Sequence, residues 1–69
     1  MKTKTAIISI QDLTADVLSD LRRVFNAVPG VESVDFGLER GVAVVEFDPA
    51  QSNVDTLMRA ALKAGYKLL

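Results

Sequence analysis

Residues 33–49, Ser33-Val34-Asp35-Phe36-Gly37-Leu38-Glu39-Arg40-Gly41-Val42-Ala43-Val44-Val45-Glu46-Phe47-Asp48-Pro49, decide the fold class. Val34, Phe36 and Leu38 alternate with Ser33, Asp35 and Gly37, and Ala43, Val45 and Phe47 resume the period of two beyond Glu39-Arg40-Gly41. A period of two puts the apolar set of each run on one face, and a glycine-bearing turn between two such runs joins them as a hairpin. Asp48-Pro49 closes the second strand, since proline has no N–H to give a ladder.

Outward from the hairpin, the period changes to that of a helix on both sides. Upstream, Val17, Leu18, Leu21, Val24, Phe25 and Val28 recur at steps of three and four, which predicts a helix over 15–28 with Thr14 as N-cap and Asp16 in its first turn. Pro29-Gly30 stops it. Downstream, Ser52-Asn53 caps a second helix whose buried face is Leu57, Met58, Ala61 and Leu62, and Gly65 ends it as the residue after the C-cap. Thr5 to Ile10 reads as the first strand, with Ala6, Ile8 and Ile10 on one face and Thr5, Ile7 and Ser9 on the other. Tyr66 to Leu69 reads as a short last strand. The order βαββαβ predicts an α+β, ferredoxin-like sandwich over residues 1–69: a four-stranded antiparallel sheet with two helices on one face.

Composition narrows the functions open to such a domain. A chain of 69 residues buries a modest core, and with no Cys it has neither a disulfide nor a thiolate zinc site to staple it. The absence of Cys and His removes thiol chemistry and the usual ligands of Cu(I) and Zn(II), leaving carboxylates, carbonyls and the thioethers of Met1 and Met58. Met58 sits at core spacing, and Met1 is expected to be frayed. Eight Lys and Arg against nine Asp and Glu, with no basic run, give none of the electrostatic footprint of a nucleic-acid partner. No apolar run approaches the roughly 20 residues that span a bilayer, so direct membrane insertion is not expected. Ser9, Gln11 and Asp12 interrupt the apolar stretch after Lys2 and Lys4, which argues against a signal peptide and for a cytoplasmic location. Ser9, Ser19, Ser33 and Ser52 have no neighbouring base, so the chain reads as a non-enzyme.

The stretch from Ile8 to Val17, with Pro29-Gly30-Val31, the hairpin Asp35 to Gly41, Glu46-Phe47-Asp48-Pro49 and Ala64-Gly65-Tyr66, resembles the heavy-metal-associated domain of copper chaperones and metal-pumping ATPases. The resemblance runs from Lys4 to Leu68. It implies an ion-binding loop between the first strand and first helix, in which two cysteines of a Cys-x-x-Cys motif receive Cu(I) or Zn(II) and pass it to a similar domain by ligand exchange. Counted back from Pro29-Gly30-Val31 by the family's helix length, the two thiolate positions fall on Thr14 and Val17. A neutral hydroxyl is a poor Cu(I) ligand and an isopropyl group is none. Asp12-Leu13 also replaces the family's usual lead-in, which points to natural divergence rather than two exchanged cysteines.

The vestigial loop is thus Asp12, Thr14, Asp16 and Val17, with Tyr66 expected near it and packed on Leu13 and Val17. Asp12, Asp16 and Asp20 could suggest a weak hard-cation site, but a calcium loop needs about 12 residues with a central Gly and a terminal Glu. Acids at a helix N-terminus are ordinary dipole partners. No cofactor is expected beyond, at most, a weakly held metal ion. Ile7, Val42 and Val44 fall on the outward face of neighbouring strands, and clustered exposed apolar side chains mark an interface. Two readings follow. One is an interaction or regulatory module of a copper or zinc transport system, docking on a metal-transporting ATPase or related domain, or self-associating. The other is an ion carrier using oxygen ligands or cysteines supplied by a partner.

Overall fold

The computed structural model describes residues 2–69; Met1, expected to be frayed, lies outside the described residues. The elements run β1 (Lys4–Ser9), a 3-10 turn (Ala15–Val17), α1 (Leu18–Asn26), β2 (Val31–Gly37), β3 (Val42–Phe47) and α2 (Val54–Lys63). The sheet has three antiparallel strands in the order β1-β3-β2. Strand alternation sends Ala6, Ile8, Val34, Ala43, Val45 and Phe47 to one side, where they meet Leu21 and Phe25 of α1 and Leu57 and Ala61 of α2. Fully burying side chains such as Phe25, Leu21 and Leu57 contributes about 1.5–3 kcal/mol each, and this core is what holds two short helices on the sheet.

Two glycines are required by backbone geometry. Gly65 has φ 97°; its N–H reaches the Leu62 carbonyl at 3.0 Å while the Tyr66 N–H reaches that of Ala61 at 3.1 Å, the paired bonds of a Schellman cap. Gly30 has φ 90°, and a Cβ there would lie 2.7 Å from the Gln51 Cβ. That close approach lets the Gly30 carbonyl accept from the Asp48 N–H at 2.8 Å and ties the start of β2 to the end of β3.

Five details depart from the sequence reading. The fourth strand does not form: only an isolated bridge joins Leu68 to Ile10, flanked by Gln11 N–H to Lys67 O (2.8 Å) and Leu69 N–H to Ser9 O (3.0 Å). Asp12, two residues past the bridge, has φ 58° and takes the chain out of extended geometry, so the pairing cannot continue back toward Tyr66. The first helix runs Leu18–Asn26 rather than 15–28, preceded by the 3-10 turn, and Thr14 does not act as a side-chain cap. Leu38 lies beyond the end of β2 in the hairpin turn and is exposed, and Leu62 points outward from α2 at 53% exposure. Periodicity marks apolar positions, not whether anything covers them.

Candidate functional site

The β1–α1 connection is built around one strained residue and one short turn. Asp12 has φ 58°, the left-handed region that Asp tolerates better than most residues, and it turns the chain away from the bridge at Ile10. The chain then winds through the 3-10 turn, in which the Val17 N–H bonds the Thr14 carbonyl at 3.3 Å. Thr14, the extended residue before the turn, is exposed, whereas Val17 at its end is half-buried against the core.

What those positions carry is already committed elsewhere. The Thr14 hydroxyl donates to the Asp16 carboxylate. Together with its own backbone N–H, that bond holds the Asp16 carboxyl below the usual carboxylate range. Val17 is half-buried and packs against the core beside Leu13 and Tyr66, and with Tyr66 it lines a cleft of about 280 Å³ bounded by Ile10, Gln11, Asp12 and Lys67. Thr14 and Asp16 do not line this cleft. A soft ion entering the loop would find no sulfur or imidazole, an engaged hydroxyl and a methyl surface, so the residues present do not fit the cargo the family resemblance implies.

Tyr66 does more than pack. Its hydroxyl donates to Asp20 on the first turn of α1, and Asp20 also accepts from Arg23. The Tyr66 bond, and then the Arg23 bond, lower the Asp20 pKa; in return the carboxylate raises that of Tyr66. The bond latches the segment after α2 onto the start of α1, across the site. Sequence reasoning missed this pairing. The available signal was that Asp20 stands three residues beyond Val17 and so on the same face of the helix. Asp12, Asp16 and Asp20 do not converge: among the described residues no three of His, Cys, Asp or Glu stand close enough together to hold an ion.

On the outer face of the sheet, Ile7 pairs with Val44 and Ser9 with Val42, while Asp35 flanks Val44 on the far side. Ile7 is 69% exposed, whereas Val42 and Val44 are half-buried. The apolar surface is therefore centred on one cross-strand pair, with acidic Asp35 beside it on β2 and Glu46 two residues along β3.

The profile of the heavy-metal-associated domain matches residues 18–67. The chain belongs to the heavy-metal-associated domain family. The match starts at Leu18, one residue past Val17, so the loop that departs from the family lies outside it. The mercuric transport protein periplasmic component of Shigella flexneri is 32% identical over 65 residues, covering 93% of this chain and 71% of that protein. Oxidized MerP from Ralstonia metallidurans CH34 superposes with a TM-score of 0.88 at 32% identity, covering 99% of this chain and 96% of that one. The N-terminal domain of a potential copper-translocating P-type ATPase from Bacillus subtilis, in its Cu(I)-loaded state, gives a TM-score of 0.86 at 26% identity over 97% of this chain and 85% of its own. This heavy-metal-associated domain keeps the fold of those proteins, with three strands and a bridge.

Proposed function

We propose that this heavy-metal-associated domain no longer carries an ion on thiolates of its own and serves as an interaction module of a metal transport system. It docks through the sheet face centred on Ile7 and Val44 onto a domain of a metal-transporting protein. One observation carries the reading: the chain has no Cys or His, and Thr14 and Val17 hold structural roles in the loop instead. The relatives, a mercuric transport component and a copper-translocating ATPase domain, supply the transport context. The same inventory favours a binding module over an enzyme. Self-association through the same face is the simplest competing use of it. Among the described residues no helix is long and apolar enough to cross a membrane. The sequence points to the cytoplasm, whereas the mercuric relatives are named as periplasmic components, so no compartment is part of the proposal.

The test is sedimentation velocity of the chain alone and mixed with the Bacillus subtilis ATPase domain as the probe, each with the parent chain and with Val44→Lys. Val44 is half-buried beside exposed Ile7, so a lysine there can keep its charge in water and leave the fold intact, checked by circular dichroism. Association that Val44→Lys abolishes supports the face, with the mixed and unmixed samples separating a partner domain from a second copy. No association in either sample, or association the substitution leaves unchanged, overturns it. The other reading, a carrier using Asp12 and Asp16 or a partner's cysteines, requires metal affinity that falls when both aspartates become Asn.

A further inference from the structure

A second surface lies on the helix layer, at the end of α1 remote from Thr14 and Val17. There Pro29 follows the end of α1, the small side chains of Ala27 and Ala60 fill little of the space between the helices, and Leu62 points outward, leaving a groove of about 540 Å³ with an apolar floor. Cavities of this size take a ligand or a seated side chain with its neighbours. Its rim is basic: Arg59 and Lys63 line it, and no carboxylate does. Asp55 bonds Arg59 at 3.0 Å, but both ends of that pair are more than two-thirds exposed and exchange readily with another carboxylate. Lys63 makes no ion pair among the described residues. The carbonyl end of α2, which would repel an anion, is closed by the Gly65 and Tyr66 N–H groups.

We infer that this groove binds an acidic peptide segment of a partner protein, seating a leucine-sized side chain over Val28, Pro29 and Ala60 while flanking carboxylates meet Arg59 and Lys63. Two cations concentrated at one apolar groove, in a chain of net charge −1, select for that sign of partner. The groove lies on the helix layer, so it is independent of the sheet face and leaves both faces usable at once.

The experiment titrates the isotope-labelled chain with the probe peptide acetyl-Glu-Leu-Leu-Glu-Glu-Leu-Leu-Glu-amide and with its counterpart carrying Lys for every Glu. Saturable amide shifts at Ala27, Val28, Ala60 and Lys63 are expected with the glutamate peptide only. Lys63→Glu, an exposed change, should weaken that peptide by about tenfold, the equivalent of losing one or two surface ion pairs, and strengthen the lysine peptide. Equal shifts from both peptides, shifts confined to the sheet face, a response only to anionic phosphatidylglycerol vesicles, or no saturable shift would each overturn the inference. The sedimentation test addresses the sheet face separately, so failure here and failure there are distinguishable.

Discussion

Replacing Thr14 and Val17 together by Cys should return an ion site to this loop. The Val17 N–H bonds the Thr14 carbonyl at 3.3 Å, so sulfurs carried at these two positions would stand one turn apart. Thr14 is exposed, and surface substitutions of this kind stay within about 0.5 kcal/mol. Val17 is half-buried, and the apolar surface lost on its change to Cys is about one methyl group, below about 0.8 kcal/mol. The metal-free variant should therefore melt lower by no more than about 10 °C, at 4–8 °C per kcal/mol for a domain of this size. Free Cu(I) at a hundredfold excess over its dissociation constant then adds about 2.7 kcal/mol. The melting temperature should rise by more than about 10 °C above that of the metal-free variant. The assay is anaerobic thermal unfolding followed by circular dichroism, with and without buffered Cu(I). A folded double variant that binds no Cu(I), or binds it without stabilisation, would show that Thr14 and Val17 are not the ligand positions.

Gly30→Ala should cost at least about 1–2 kcal/mol, because alanine at φ 90° meets the left-handed penalty and its Cβ would stand 2.7 Å from that of Gln51; urea unfolding would register a lower midpoint with an unchanged slope. Tyr66→Phe should release the segment after α2, seen as faster amide exchange from Gly65 to Leu69, and let the Asp20 carboxyl titrate closer to its ordinary value. Hydrogen bonds from Thr14 to Asp16, from Tyr66 and Arg23 to Asp20, and from the Ala50 N–H and Gln51 to Asp48 hold all three carboxyls below their ordinary value. Between the lowered and the ordinary values the unfolded chain binds more protons, so their contribution is present above the ordinary carboxylate pKa and lost as pH falls through the lowered values. Urea midpoints measured from about pH 6 down to about pH 2 should drop at the acid end, and Asp48→Asn should flatten the drop.

The hairpin was readable because Val34, Phe36, Ala43, Val45 and Phe47 face one core and the turn residues leave one register. The end of α2 was readable for a local reason as well, since only glycine fits the φ of 97° at position 65. Other features depend on what lies across the fold. Leu38 and Leu62 carry the right period, yet nothing packs over them. The last strand stops at one bridge because Asp12 leaves extended geometry at φ 58°, a turn that the alternation of Thr5 to Ile10 does not announce. Position counting assigned Thr14 and Val17 to the two thiolate positions, but the fate of the Thr14 hydroxyl and the reach of Tyr66 to Asp20 required the folded geometry. A bond spanning 46 positions leaves no local pattern.

The central claim is that the fold of a metal-carrying family persists here without its ion site. The direct test is an anaerobic titration of the isotope-labelled chain with Cu(I) and then Zn(II), following every backbone amide. The account predicts no saturable shift from Asp12 to Val17 or at Tyr66, even at large excess. Saturable shifts confined to those residues would contradict it and restore the domain to the carriers.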